Sequence, residues 1–295
     1  MAITLEDGAL NYAHAERAGH TKARLSAAGI RELEAPGAAE RASKALHLER
    51  WQCLTVLEPK DYQLMLVDAP NVPAAELKKA IRWQVKDMLD YHVDDATIDV
   101  LDVPADPGGA SRHYMYAVSA RNDVIQAYQQ RFAAAHIPLS VIDIPETAQR
   151  NVASFYEDGS RGVALLYFAR DWGLLTISFQ GELYYARRID IGMSQLRNVG
   201  GVTRHDLFGR VVLELQRTFD HVDRQYRSVS IGKLLLAPEP EDIGLREHLD
   251  ANFDLETGAV ALADVLQIEQ PMDRETSWKL FPLIGASLRQ EAKVL

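Results

Sequence analysis

Cysteine is almost absent: Cys53 is the single one in 295 residues. No disulfide can close within the chain, which fits a reducing compartment. Cys53 lies in the apolar run Cys53-Leu-Thr-Val-Leu57 and reads as a small buried side chain rather than a nucleophile. Long apolar runs are missing too. None approaches the roughly 18–20 residues of a membrane span. The opening Met1-Ala-Ile-Thr-Leu-Glu-Asp-Gly lacks the basic region and apolar core of a signal peptide. These absences read as a cytosolic protein whose membrane role, if it has one, comes through a partner.

Positive charge is scarce. The net charge is −10, and the nearest basic cluster is the pair Arg187-Arg188. A nucleic-acid binder needs a basic footprint to displace counterions, so that class is excluded. The sequence has no Gly-x-x-x-x-Gly-Lys-Ser/Thr loop, Gly-x-Gly-x-x-Gly fingerprint or Gly-x-Ser-x-Gly elbow. Its nine histidines are scattered, without a His-x-x-x-His pair, so ligand spacing argues against zinc.

What is present is an ordinary globular composition, 47% hydrophobic and 25% charged. The length suits one large or two intimate domains. The chain opens on a strand–turn–strand meander: Ala2–Leu5, the turn dipeptide Asp7-Gly8, Leu10–Arg17, a turn at Ala18-Gly-His20, and a return over Lys22–Ala27. Ala38–Leu46 reads as a helix, and Cys53–Leu57 and Tyr62–Val67 as strands. The clearest helix is expected over Ala74–Leu89, with Leu77, Ile81, Val85, Met88 and Leu89 on one face. A loop is expected over Pro104–Ser111. Strands follow at Tyr114–Ser119 and Leu139–Ile144, around a helix over Asp123–Ala135. Another helix starts at Pro145.

A second meander begins at Gly162, 160 residues after Ala2 by direct count. Gly162–Phe168 is an apolar strand, and Leu174–Phe179 and Leu183–Arg188 flank a two-residue turn at Gln180-Gly181. A long helix over Val202–Arg224 carries the stripe Leu207, Val211, Leu215, Phe219 and Val222. A strand over Val229–Leu236 and a partly helical Trp278–Ala292 complete the reading. Repetition of a mixed α/β pattern suggests two α/β lobes with a cleft between them, and such clefts are common ligand sites.

Three stretches carry a family resemblance. The first is Leu77-Lys-Lys-Ala-Ile-Arg-Trp-Gln-Val-Lys-Asp-Met-Leu-Asp-Tyr-His-Val-Asp-Asp-Ala-Thr-Ile-Asp-Val100. The second is Leu213-Glu-Leu-Gln-Arg-Thr-Phe-Asp-His-Val-Asp-Arg-Gln-Tyr226, and the third Pro282-Leu-Ile-Gly-Ala-Ser-Leu288. With the element order, they resemble the actin-like (ribonuclease H-like) ATPase superfold. More narrowly they resemble the PilM-type proteins of type IV pilus assembly, and within these the MshI version of mannose-sensitive hemagglutinin pilus biogenesis. The resemblance implies a two-lobed duplicated α/β fold. Its first lobe is expected over residues 1–155, with a small inserted subdomain at about 74–118, and its second over 156–295. It implies a cytoplasmic protein, peripheral to the inner membrane, that docks the N-terminal cytosolic tail of a PilN- or MshJ-like bitopic membrane protein. Self-association into a homo-oligomer is left open.

An actin-like nucleotide site needs two phosphate turns of the form Asp-x-Gly-Ser/Thr and a glycine-rich turn on the adenine side. Glycine lets backbone N–H groups approach phosphate, the acid positions the metal, and the hydroxyl donates. The first turn here is Leu5-Glu-Asp-Gly-Ala-Leu10. Glu6 takes the acidic position, Asp7-Gly8 forms the turn, and Ala9 and Leu10 replace the hydroxyls. In the second, Ala169-Arg-Asp-Trp-Gly173, Asp171 and Gly173 mimic Asp-x-Gly, but Leu174 and Leu175 follow. The third is Ala237-Pro238-Glu239-Pro240, where two prolines remove N–H donors. The other glycine pair, Gly200-Gly201, reads as a helix end. Glu6, Asp7, Gly8, Asp171 and Gly173 therefore read as remnants of a cofactor site. The expectation is a pseudo-ATPase without catalytic residues, cofactor or metal, with ATP and magnesium as the alternative.

Other acids read as structural. Asp99 and Asp102 lie three apart on a strand and face opposite sides. Asp143 and Asp190 end apolar strands and read as turn caps. Trp83, flanked by Arg82 and Lys86, sits beside the apolar stripe of its helix and is a candidate anchor for a partner peptide; packing against its own lobe is the other reading. Two further readings of the chain stay open. One is an active actin-like ATPase or sugar-kinase relative. The other is the cytosolic domain of a type II secretion platform protein, which would be expected to continue into a membrane span.

Overall fold

The computed structural model of the chain describes residues 1–16, 22–105, 113–197 and 201–290. The turn expected at Ala18-Gly-His20, most of the loop expected at Pro104–Ser111, and Gly200 lie outside the described residues.

The opening meander forms β1 (Ala2–Glu6), β2 (Ala9–Glu16) and β3 (Ala23–Glu32). Asp7 and Gly8 join the first two with φ of 49° and 71°, as a two-residue type I′ hairpin requires. After α1 (Ala38–Ala45) comes β4 (Cys53–Val56), parallel to β1. An excursion follows: β5 (Tyr62–Asp68), α2 (Ala74–Val85), β6 (Ala96–Val103) and β7 (Tyr114–Arg121). The chain then returns through α3 (Asn122–Ala134) to β8 (Leu139–Asp143), parallel to β4. Next comes α4 (Pro145–Ala153).

The second meander forms β9 (Gly162–Phe168), β10 (Gly173–Phe179) and β11 (Glu182–Ile189). Then come α5 (Met193–Arg197), α6 (Gly201–Gln225), β12 (Ile231–Leu236), α7 (Leu245–Asp250) and β13 (Glu256–Ala259). The chain closes with α8 (Leu262–Val265), β14 (Leu266–Ile268) and α9 (Arg274–Ser287).

Two sheets repeat one plan. The first runs β3-β2-β1-β4-β8 and the second β11-β10-β9-β12-β13. In each, three antiparallel strands are extended by two parallel ones. Every residue of β9 is buried, as a strand covered on both faces should be. Between the sheets lies α4, with eight of its nine residues buried. Its polar groups are matched: Gln149 Nε2 donates to the carbonyls of Leu165 and Leu174, and Asn151 Nδ2 donates to Gly285 O at 3.0 Å. Unmatched, such groups would cost several kcal/mol, on the order of 1–3 each.

The sheets divide the chain differently from a cut at residue 155. β14 pairs parallel to β3, so the first sheet has a sixth strand from late in the sequence. α9 follows it and lies against α4 and the first sheet. A separate three-stranded sheet has the order β5-β7-β6. It starts before residue 74, because β5 pairs with β7 along its whole length, from Tyr62↔Ala120 to Asp68↔Tyr114. Ile81 and Val85 of α2 are fully buried with Met65, Val67 and Met115 of that sheet. α2 stops at Val85 rather than Leu89, because Met88 N–H turns back onto Val85 O at 2.9 Å and starts the reversal toward β6.

Candidate functional site

The fold brings the Asp7-Gly8 turn and the 169–172 turn within reach of each other. The Asp7-Gly8 hairpin leaves the first sheet, and the 169–172 turn leaves the second between β9 and β10. Arg170 spans the gap. Its Nη1 lies 3.4 Å from Asp7 Oδ2 and its Nε 2.9 Å from Asp171 Oδ2. Ser194 Oγ donates to Asp171 Oδ1 at 3.1 Å. The hydrogen bond of Arg170, and then that of Ser194, holds Asp171 below the usual carboxylate range. All three charged side chains are largely exposed, 62–79%, so salt screens the cluster strongly.

Behind this turn the space is filled. Met193 and Ser194 N–H donate to the carbonyls of Ala169 and Arg170, each at 2.8 Å. A Cβ on Gly192 would stand 2.4 Å from Arg170 O and from the Asp171 backbone. Gly173 is buried opposite Phe168, its β9 partner, whose ring would lie 2.8 Å from an added Cβ. Trp172 turns inward and meets Tyr167 edge-on at 5.9 Å.

Glu6, at the end of β1, is half-buried. Burial first, then Glu58 and Asp7, push its carboxyl up to about 7, against the weaker pull of Arg131 and Lys60. On the far side, the Ala237–Pro240 turn follows β12 and carries Glu239. Burial, reinforced by Asp242, pushes Glu239 up to about 8, and its Oε1 is buried without a hydrogen-bond partner. The described residues suit a magnesium nucleotide poorly. An arginine bridges the two acids, no hydroxyl follows either turn, and the third turn has two prolines. Among the described residues, no group of three metal-ligating side chains comes together.

The other acids are structural. Asp143 Oδ1 accepts from Ile144 N–H and from Thr147 Oγ1, and its Oδ2 pairs with Arg289 at 2.9 Å. Asp99 pairs with Lys78 and Asp102 with His113, so the two do not meet. Cys53 is fully buried, and burial pushes its thiol up to about 11, which makes it inert.

The expected partner-binding trio splits. Trp83 is 66% exposed, so it does not pack against its own lobe. Lys86 Nζ sits 5.1 Å above its ring. Arg82 is half-buried and committed elsewhere: it donates to Ala96 O at 3.1 Å and to Asp94 Oδ1 at 3.2 Å, tying α2 to the start of β6.

One feature had no sequence signal. A groove of about 530 Å³ separates β5 from β11. Each of these strands is the edge of its sheet. Gln63, Met65, Met88 and Arg188 line it, with Glu146 of α4 beneath. Glu146 is 2% exposed. Burial pushes its carboxyl up, against the hydrogen bond from Tyr62 and the charge of Arg188. Arg188 stacks 4.4 Å over the Tyr62 ring and donates through Nη1 to Pro59 O. The walls lie more than 100 residues apart in sequence, so no local pattern could place them together.

No family model matches the sequence, and no curated protein matches it. Among solved structures, the chain is similar to the PilM-PilN type IV pilus biogenesis complex, with 14% identity and a TM-score of 0.72, covering 97% of this chain and 96% of that one. It is also similar to a Bacteroides thetaiotaomicron protein with an actin-like ATPase fold and unknown function, with 7% identity and a TM-score of 0.50, covering 95% and 94%. The fold is actin-like. The cytoplasmic domain of EpsL, from the type II secretion system of Vibrio cholerae, matches with 14% identity and a TM-score of 0.49, covering 96% and 93%. Among the described residues, no helix is long and apolar enough to cross a membrane.

Proposed function

We propose that this chain is a cytosolic scaffold of a type IV pilus assembly platform, of the PilM type and of the mannose-sensitive hemagglutinin (MshI) kind. It holds the N-terminal tail of a PilN- or MshJ-like bitopic inner-membrane protein, and it does so without turning over ATP. The observation that carries the reading is the groove of about 530 Å³ between the free edges β5 and β11, into which Arg188 reaches from β11. The turns at Asp7 and Asp171 are instead tied together by Arg170. Sheet edges are where extended peptides add. The likeness to PilM, from a complex named together with PilN, supports a peptide tail as the occupant. Trp83, exposed on the helix that covers the β5 sheet, offers a separate aromatic anchor.

The test is a pair of titrations on purified protein. Magnesium-ATP should give no micromolar binding by calorimetry and no phosphate release above background. The cytosolic tails of candidate bitopic partners should bind. Micromolar ATP binding with turnover ends the pseudo-ATPase reading, and the absence of any tail that binds ends the scaffold reading.

A further inference from the structure

Two side chains cross between the three-stranded sheet and the second sheet, one in each direction. Tyr116 reaches out from β7: its hydroxyl accepts from Ala186 N–H at 3.2 Å and donates to Tyr184 O at 3.3 Å. Arg188 reaches back from β11: it stacks 4.4 Å over the Tyr62 ring and donates through Nη1 to Pro59 O, at the foot of β5. Tyr116 stands opposite Leu66, four residues along β5 from Tyr62. The two ties are therefore separated by roughly 13 Å of strand, and both line the groove.

The ties differ in how firmly they hold. Tyr116 is buried, and its hydroxyl is used both as donor and as acceptor. Breaking that contact would strand a main-chain N–H and a C=O, which is costly in an interior. Arg188 is about a third exposed, with 32% of its side chain in contact with solvent. Its grip is also incomplete. Nη2 makes no hydrogen bond, and Glu146 Oε1 lies 3.8 Å from it, close enough for an ion pair but not for a hydrogen bond.

The partners of Arg188 can do without it. Tyr62 O–H already donates to Glu146. Burial already pushes the Glu146 carboxyl up, so it can give up its charge when the cation leaves. Pro59 is half-buried, so water can take over its carbonyl. A contact that is firm at one point and loose at another is the anatomy of a hinge.

We propose that Arg188 is a latch: released from Tyr62, Pro59 and Glu146, it lets the second sheet turn about the Tyr116 tie and widens the groove at the foot of β5. The structure shows the latch shut. Entry of an extended segment alongside Tyr62 then requires its release, so the latch regulates access to the groove. That regulatory role rests on the reading of the groove as the tail's site. The latch itself does not, and its test uses no tail.

The experiment follows the distance across the groove in the full-length protein. Nitroxide labels are placed at Gln84→Cys on α2, which covers the three-stranded sheet, and at Gln216→Cys on α6, which the Arg187–Glu214 pair ties to β11 at 2.5 Å. Both positions are exposed, and the buried Cys53 stays unlabelled. Double electron–electron resonance on the native sequence should give one narrow distance. Arg188→Met should add a second, longer one. Tyr116→Phe alone should keep the single native distance, because the latch still holds. Combined with Arg188→Met, it should spread the second distance into a broad distribution. Arg188→Lys is the gentler variant: an ammonium cannot both stack on Tyr62 and bond Pro59 as the planar fork does, so the second distance should appear at smaller population. If Arg188→Met does not fold, Arg188→Lys decides alone. A single native distance in the folded Arg188 variants overturns the latch. So does a shift in Tyr116→Phe equal to that in Arg188→Met, which would make the two ties equivalent struts. An unmoved distance in a protein that binds a tail removes the latch and keeps the scaffold reading; a second distance in a protein that binds no tail does the opposite.

Discussion

At Gly285, α9 passes so close to α4 that a Cβ would stand 2.2 Å from Ala148 O. The contact is between backbones, so neither side can turn away. Gly285→Ala must push the helices apart, and it breaks the Asn151–Gly285 hydrogen bond on the way. The expected loss is about 1–3 kcal/mol, as for overpacked cores, read as a lower urea midpoint at unchanged slope. A loss below about 0.5 kcal/mol, the range of inert surface changes, would mean that the helices separate at no cost. The residues of the two turns joined by Arg170 were half legible in the sequence. Turn chemistry marks Asp7-Gly8 as a hairpin, and the apolar residues after each turn mark the missing hydroxyls. Where Arg170 reaches was not legible, because its partner Asp7 lies 163 residues away.

At the scale of elements, α2 is the informative one. Its spacing gave away the face that buries Ile81 and Val85, because helical periodicity is local and strong over three turns. The opposite face holds Trp83, among the few large apolar side chains left exposed, with Met88 next along the chain. Trp83→Ala removes no core contact, so the melting temperature should stay within about a degree, consistent with a surface change under about 0.5 kcal/mol. Binding of the partner's tail should weaken at least about ten-fold if the ring anchors it, since anchor residues cost about 2 kcal/mol or more. Unchanged affinity by calorimetry would remove Trp83 from the interface. The flanking cations differ in a way that sequence could not resolve. Arg82 holds the subdomain together, whereas Lys86 stays with the ring. The short elements β13 and β14, of four and three residues, escaped notice because so few positions carry no period.

For the whole molecule, the doubled sheet is the organising fact, and the return of the C-terminal segment is its least obvious consequence. β14 and α9 complete the first sheet although they follow the second. Trp278 Nε1 donates to Phe168 O at 2.5 Å and Asn151 holds Gly285 O, so α9 is stitched to both halves. A chain ended after Ala261 would expose the apolar surface of α4 and of the first sheet. It should lose cooperative unfolding as well as stability, with a broad thermal transition by circular dichroism and binding of a hydrophobic dye. A sharp melt near that of the full chain would show that the first sheet stands without α9.

The sequence by itself determined the hairpins, the amphipathic helices, the repeat of one α/β plan and the apolar residues that follow the turns at Asp7-Gly8 and Asp171-Gly173. All of these are written in spacings of two to four residues, or in residue types at a turn, where backbone sterics and side-chain chemistry act locally. Tertiary structure alone decided that Arg170 bridges Asp7 and Asp171, that β5 and β11 leave a groove between two free edges, and that α9 closes the first sheet. Each joins residues about a hundred or more positions apart, and the free energy of such contacts depends on which surfaces the packed core brings together.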